Sequence, residues 1–168
     1  IAQAQRDMEI WNYYCMDVMC KGKYPYWSER YWDDHHIKLT IMDEDLKDFK
    51  EGIVDFISFS YYRTDCSQAD QKKSREKTNF GLKNPLLDAT QWGWTIDPDG
   101  LRWLLNEFYN RYEKPLIIVE NGIGAYDQKE EDGTIHDIER IEYLKKHIKA
   151  MKEAIKDGVD LIGYTCWS

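Results

Sequence analysis

The chain has 168 residues, enough for one ordinary domain with its own core. Its 42% hydrophobic, 14% aromatic and 32% charged residues are typical of a globular protein. A net charge of -8 opposes binding to nucleic acid or to an anionic membrane, and no apolar run approaches the roughly 20 residues of a spanning helix. We therefore expect neither nucleic acid nor a membrane as a partner.

Cysteine and histidine spacing favours neither disulfides nor a metal site. The chain contains four cysteines, Cys15, Cys20, Cys66 and Cys166. They form no CxxC pair, and the first residues lack the basic start and apolar core of a signal peptide, which together predict reduced thiols and a cytoplasmic protein. His35 and His36 are adjacent and project in different directions, so surface histidines are the better interpretation and no metal is expected.

The N-terminal third of the chain predicts two helices and a strand. Trp11, Tyr14 and Val18 recur at helical spacing, and Gly22 follows them. After the aromatic segment YPYWSERYW, a helix over DEDLKDFKE is predicted to be capped by Asp43 and ended by Gly52. The next run, VDFISFSYY, is rich in strand-forming residues.

Two further helix-strand units follow the first. Asp97-Pro98 form a helix cap and first turn, followed by an apolar stripe of Leu101, Leu104, Leu105, Phe108 and Tyr112. The strand LIIVE comes after this helix. The last helix, over residues 137–157, carries a stripe of Ile138, Ile141, Leu144, Ile148, Met151 and Ile155. Gly158 ends that helix, and VDLIGYTCW reads as a buried strand, so the pattern predicts an α/β fold with a parallel sheet.

Polar and aromatic residues follow the three predicted strands. Ser60 and Tyr62 end the first, Glu120 ends the second and Trp167 ends the third. The carboxyl ends of parallel strands meet at one cleft, and a carboxylate with phenols and an indole suits carbohydrate. Glu120 is then a nucleophile or general acid/base held by Tyr62, or else a residue that pairs with an arginine or caps the next turn. Trp167 is either a ligand platform or a core tryptophan.

The motifs around these residues resemble glycoside hydrolase family 1. IIVENG, with the preceding GWTIDPDGLRWLL, is similar to the nucleophile region at the end of strand seven of the family's (β/α)8 barrel. SFSYY resembles its strand-six signature, and GYTCWS its strand-eight tryptophan signature. The resemblance implies the C-terminal portion of a TIM barrel, about strands six to eight, with residues 1–168 as a single partial domain. It also implies that the rest of the barrel or self-association covers the open sheet edge.

Within that family, NFGLKNPLLDATQWGW and the last helix are similar to bacterial 6-phospho-β-glucosidases. This resemblance implies retaining hydrolysis of a phosphorylated β-glucoside in the cytoplasm, without metal or organic cofactor. Glu120 matches the catalytic nucleophile, Tyr62 the phenol that hydrogen-bonds it, and Trp167 the indole beneath the sugar. Ser60 is a substrate-binding candidate at a position where many relatives have Asn.

Two parts of such a site are expected outside the chain. The family's acid/base motif Thr-x-Asn-Glu-Pro does not occur, and Asn106-Glu107 is rejected as a substitute because it lies in a predicted outer helix. The phosphate-binding segment is expected after Ser168, although the basic run at residues 72–77 could edge the cleft; a solvated loop is the alternative. The fragment alone should be inactive. A non-catalytic sugar-binding or interaction fragment and a neutral β-glucosidase are the other hypotheses.

Overall fold

A computed structural model describes residues 2–67 and 82–167, except for the side chains of Gln3 and Asp7. The chain divides into two compact units, one up to Asp55 and one from Phe56 onward. Over the described residues, no helix is both long enough and apolar enough to cross a lipid bilayer.

The first unit is helical. Its elements are α1 (Ala2–Met8), a π-helical turn (Glu9–Tyr13), α2 (Tyr14–Lys21), α3 (Ser28–Asp34) and α4 (Asp43–Glu51). The predicted helix around Trp11 is present, and the Gly22 N–H bonds to Val18 O at 2.9 Å where α2 ends. The π turn adds a residue to one turn and so rotates the helix faces. Within this turn, Trp11 is 84% exposed, whereas Tyr13 is buried.

The ends of α4 match the prediction at one terminus only. Asp43 was predicted as the N-cap, and this is wrong: Met42 is the N-cap residue, and the Asp45 carboxylate accepts its backbone N–H at 2.8 Å. An acidic side chain at the third helical position is well placed to accept that N–H. The helix ends as predicted, with the Gly52 N–H bonded to Asp48 O at 2.8 Å.

The second unit is a three-stranded sheet with two long helices. Its elements are β1 (Ile57–Ser60), α5 (Pro98–Tyr112), β2 (Leu116–Glu120), α6 (Ile138–Lys156) and β3 (Leu161–Tyr164). The strands are all parallel and lie in the order β1-β2-β3. Each helix connects two adjacent parallel strands, so the predicted α/β class is confirmed.

Helix α5 forms as its sequence predicts. The Asp97 carboxylate accepts the Gly100 N–H at 2.8 Å, and Pro98 occupies the first turn. Four members of the predicted stripe are buried, namely Leu101, Leu105, Phe108 and Tyr112. The edge of the Phe108 ring meets Phe59 of β1, with the ring centroids 5.1 Å apart, so the buried face of α5 packs on the sheet.

Helix α6 has the predicted length but buries another face. Most of the predicted stripe is exposed, including Ile138 at 67% and Ile141 at 55%. The buried residues are Tyr143, His147, Ala150, Met151 and Ala154. Small side chains allow close packing, and two polar residues in this set can be buried because they form hydrogen bonds there. The predicted helix is therefore present, but its buried face and the apolar stripe share only Met151.

Candidate active site

Glu120 is the last residue of β2 and lies opposite Ser60, the last residue of β1. The Ser60 hydroxyl and the Tyr62 phenol both donate to Glu120 Oε2, each at 2.9 Å. Among the residues that the structure describes, no hydrogen bond is seen to the other oxygen, Oε1, and no arginine pairs with this carboxylate. The alternative interpretation, in which Glu120 only pairs with an arginine, therefore has no support among the described residues.

The Tyr62 phenol is held in its protonated form. Burial and the neighbouring Glu120 carboxylate, through its hydrogen bond and its negative charge, raise the pKa of Tyr62 to about 12. A phenol with that pKa is a hydrogen-bond donor over the whole physiological pH range. One oxygen of Glu120 is thus fixed by two hydroxyl donors, and the position of the carboxylate is set by strands β1 and β2 together.

Trp167 lies beside Tyr62, just beyond β3. Its indole meets the Tyr62 ring edge-on at a centroid distance of 5.5 Å and is 37% exposed. Its backbone N–H donates to Asn121 O at 2.9 Å. A Cβ at Gly122 would overlap the Trp167 carbonyl oxygen, so glycine is required for this close approach. Trp167 is therefore a partly open aromatic surface, held against the segment that follows β2.

Trp94 is a further aromatic residue at this site, and the sequence pattern did not single it out. Its ring stacks on Trp167 at 6.4 Å and meets Tyr62 at 5.3 Å. The Arg63 guanidinium carbon lies 5.9 Å from the Trp94 ring centroid, within cation-π distance. The available signal was the pair of tryptophans in QWGW, within the long loop that follows β1. The Trp94 indole thus lies next to Tyr62 and Trp167, at the ends of β1 and β3.

Of the remaining candidates from the sequence, the Asn106-Glu107 pair is not part of this cluster. Asn106 belongs to α5, and its side chain donates to Arg102 O at 2.9 Å and to Asp157 just after α6 at 3.0 Å. This places the Asn106-Glu107 pair in the helical layer, away from the strand ends, as its rejection as an acid/base required. The basic run at residues 72–77 lies outside the described residues.

The comparison with known proteins assigns this arrangement to a family. The sequence profile of glycosyl hydrolase family 1 matches residues 1–168, the whole chain. The chain belongs to glycosyl hydrolase family 1. Among family 1 proteins, it is 53% identical over 154 residues to a phospho-cellobiase of Klebsiella oxytoca and 50% identical over 154 residues to a 6-phospho-beta-glucosidase of Dickeya chrysanthemi. Each alignment covers 90% of this chain and 33% of the relative.

A solved family 1 structure shows the same backbone arrangement. The chain matches a beta-glucosidase from Thermotoga maritima, in complex with galacto-hydroximolactam, with a TM-score of 0.78 and 30% identity. The match covers 99% of this chain and 37% of that one. The chain thus spans about a third of the length of the curated and structural relatives that it matches.

Proposed function

We propose that this chain, as part of a longer protein, takes part in the hydrolysis of 6-phospho-β-D-glucosides to glucose 6-phosphate and an aglycone. The observation that carries the proposal is the carboxylate at the end of β2, whose Oε2 accepts hydrogen bonds from Ser60 and Tyr62 at 2.9 Å. The names of the relatives that are 46–53% identical support a phosphorylated substrate. Such a substrate fits an enzyme of the cytoplasm.

Glu120 is the nucleophile of a retaining double displacement in this proposal. Because both hydroxyls bond to Oε2, the lone pairs of Oε1 are left available, and Oε1 attacks the anomeric carbon. The aglycone leaves as its oxygen is protonated, and water then hydrolyses the glycosyl ester. A second carboxylate, about 5 to 5.5 Å from Glu120, gives that proton and later activates the water. We assign this second carboxylate to residues outside the 168-residue chain.

Aromatic side chains bind the sugar ring in this scheme. The exposed part of Trp167 packs on the C–H face of the glucose, and Trp94 extends the aromatic surface beside it. The Ser60 hydroxyl is close enough to Glu120 to contact a sugar hydroxyl as well. We assign phosphate binding to residues beyond this chain, and the chain alone is then inactive.

The three strands supply about strands six to eight of a (β/α)8 barrel in this proposal. The two compact units belong to one barrel domain, and the rest of that barrel, or a second copy, covers the open edge of the sheet. The parallel order β1-β2-β3, with helices between the strands, and the Thermotoga maritima match support the assignment of these strands to such a barrel.

The test compares two chromogenic substrates on the full-length protein, 4-nitrophenyl 6-phospho-β-glucoside and the unphosphorylated glucoside. We expect preference for the phosphorylated one, with a loss of roughly four orders of magnitude or more in kcat for Glu120→Gln. Glu107→Gln is the matched control because it makes the same change in α5, and its activity should equal that of the wild type. Undiminished turnover by Glu120→Gln would reject the nucleophile assignment.

The same assay separates the remaining hypotheses. Preference for the plain glucoside would move the protein to the neutral β-glucosidase branch, for which the Thermotoga maritima structure is the precedent. Preference for 4-nitrophenyl 6-phospho-β-galactoside would favour the chemistry of another relative, a 6-phospho-beta-galactosidase of Clostridium acetobutylicum that is 33% identical. Binding of the phosphorylated sugar without any hydrolysis would leave a non-catalytic sugar-binding role.

A further inference from the structure

The two hydroxyls that hold Glu120 come from the end of β1, where regular strand pairing stops. The register between β1 and β2 shifts between Phe59 and Ser60, and Tyr62 lies two residues beyond the strand. One backbone bond continues the pairing, from Tyr61 N–H to Glu120 O at 2.9 Å. The position of Tyr62 therefore depends on contacts other than the sheet ladder.

Two buried side chains supply those contacts. Asn121 Nδ2 donates to Tyr61 O at 2.8 Å, and the Tyr143 hydroxyl donates to Tyr62 O at 3.0 Å. The two side chains also bond to each other, with Asn121 Nδ2 donating to the Tyr143 hydroxyl at 3.0 Å. The backbone carbonyl groups of Tyr61 and Tyr62 are thus both fixed. Asn121, directly after β2, binds the first, and Tyr143 of α6 binds the second.

The third strand, β3, is also hydrogen-bonded to Asn121. The Tyr164 hydroxyl at the end of β3 donates to Asn121 Oδ1 at 3.1 Å. Asn121 has no solvent-exposed surface, and Tyr143 is 2% exposed. Burial raises the pKa of Tyr143, so its hydroxyl stays protonated and able to donate. A buried polar group that loses its hydrogen-bond partner destabilises the folded protein. The hydrogen-bond network of Asn121, Tyr143 and Tyr164 therefore strongly favours one arrangement.

We propose that Asn121 and Tyr143 are positioning residues for the nucleophile, an inference that rests on the proposed function. They hold the backbone on both sides of Tyr62, and Asn121 directly follows Glu120 in the chain. Together they bring the Tyr62 phenol to hydrogen-bonding distance of Glu120 Oε2. Among the hydrogen bonds of the described residues, none joins either side chain to the carboxylate, so each acts through Tyr62 and through the β2 backbone.

The kinetic test uses Tyr143→Phe in the full-length protein. The phenyl ring retains the packing but cannot donate to Tyr62 O. We expect kcat to fall about tenfold to a hundredfold, with KM changed less than about twofold, because a small misplacement of a reacting group lowers the rate more than it weakens binding. Tyr112→Phe is the matched control: Tyr112 is also buried, but it lies at the far end of α5, next to the start of β2, and this variant should keep wild-type kcat.

A double-mutant cycle separates positioning from general stability. Tyr62→Phe removes the phenol hydroxyl that Asn121 and Tyr143 are proposed to position. If Tyr143 acts through that phenol, Tyr143→Phe will cost little further activity in the Tyr62→Phe background, less than about threefold. If the two losses simply multiply, Tyr143 has a structural role that is independent of Tyr62, and the proposal is overturned.

A structural measurement tests the inference without relying on activity. In the crystal structure of full-length Tyr143→Phe, the Tyr62 phenol should lie beyond hydrogen-bonding distance of Glu120; a distance near the present 2.9 Å would overturn the inference. If the wild-type protein hydrolyses no glycoside, the proposed function fails while this distance still decides the positioning role. If Tyr143→Phe does not fold, Tyr164→Phe, which releases Asn121 Oδ1, is tested by the same two criteria.

Discussion

Ser60 and Tyr62 reach the same carboxylate because they are two residues apart in an extended backbone, where alternate side chains project to one side. Tyr61, between them, projects to the other side, is buried, and donates its hydroxyl to Asp97 O at 2.6 Å. A single short run of sequence thus supplies both donors to Glu120 and an anchor in the core. The site is specified by alternation along β1 as much as by the carboxylate itself.

His147 shows the same use of polar residues in the core, next to Tyr143 on α6. Its ring has no exposed surface and stacks on Tyr143 at a centroid distance of 3.8 Å. Its Nδ1 lies 2.8 Å from Tyr143 O, and since a carbonyl oxygen can only accept a hydrogen bond, Nδ1 carries a proton. Within the described part of the chain, Nε2 has no hydrogen-bond partner. A proton on Nε2 would therefore be buried without a hydrogen-bond acceptor among the described residues.

This environment predicts a pH dependence of stability. Burial lowers the pKa of His147 below its ordinary 6.5, with Lys146 adding to the effect and Tyr143 O and Asp97 opposing it. Below about pH 6.5, the unfolded chain therefore takes up a proton that the folded chain excludes. The free energy of unfolding should fall by up to about 1.4 kcal/mol per pH unit as the pH decreases from 6.5 towards the folded-state pKa.

The measurement is the thermal unfolding midpoint of the full-length protein between pH 7.5 and 5.5. His147→Phe removes the titrating group and should flatten the decline over that range. His136→Phe, a change at an exposed histidine after β2, should leave the decline as it is in the wild type. Equal slopes for the wild type and His147→Phe would show that His147 is protonated in the folded state.

The residues that the sequence could predict are those with a recognisable local context. Glu120 follows an apolar run and precedes Asn-Gly, and Tyr62 ends a β-rich run, so the amino-acid pattern is enough to select both. Trp94 could not be selected, because it reaches the site from a long loop whose path depends on tertiary contacts. Tyr143 and His147 were missed for another reason: an apolar stripe is sought in aliphatic residues, whereas these two are buried through hydrogen bonds.

At the scale of elements, α5 and α6 are joined by a charged clamp at the surface. Arg102 of α5 donates from Nε and Nη2 to the two carboxylate oxygens of Asp157, each at 2.7 Å. Asn106 donates to the same carboxylate at 3.0 Å. Bidentate geometry makes this pair more stabilising than an ordinary surface pair, although solvent screening limits the effect. The clamp fixes the C-terminal end of α6 and hence the turn that leads into β3.

Removal of this clamp should destabilise the protein in a pH-dependent way. The hydrogen bonds from Arg102, then that from Asn106, lower the pKa of Asp157 to about 2 from its ordinary 3.8. The contribution to stability is thus fully present above about pH 3.8 and is lost as the pH falls through about 2. At pH 7, Asp157→Asn should lower the thermal midpoint of the full-length protein by roughly one to three degrees.

The control for the clamp is Glu142→Gln. Glu142 pairs with Lys145 at 3.2 Å within the single helix α6, and both side chains are largely exposed, so its loss should not change the midpoint measurably. Adding Arg102→Gln to Asp157→Asn should cost little more if the two residues act as a pair. Additive losses would show that each residue stabilises the protein through other contacts.

At the scale of the whole molecule, a side of α6 that adjoins its buried side is apolar and exposed. Ile141, Ile148 and Ile155 recur at seven-residue steps, and each is more than half exposed. At 100° per residue, their mean direction lies about 120° around the helix axis from that of Tyr143 and His147. Helix amphipathicity alone could not assign the core face here, because the apolar arc of α6 is wide and only part of it packs against the rest of the second unit.

The isoleucine face leads to a prediction for the isolated 168-residue chain. Exposed isoleucines on one helix face, together with the open edges of a three-stranded parallel sheet, favour association between copies. We expect gel filtration of the isolated chain at low concentration to give a species larger than a monomer. Ile148→Lys should shift the distribution towards monomer, whereas Glu130→Lys, which also makes the charge more positive but removes no apolar surface, should not.

The full-length protein gives the complementary result. If the remainder of the barrel covers this face, a lysine at position 148 buries a charge without a partner, and the thermal midpoint of full-length Ile148→Lys should fall by several degrees. Glu130→Lys again serves as the control and should leave the midpoint unchanged. A compact monomer of the isolated wild-type chain would show that the isoleucine face is stable when exposed to water. An unaltered midpoint for full-length Ile148→Lys would show the same, because replacing a solvent-exposed isoleucine by lysine does not lower the free energy of unfolding.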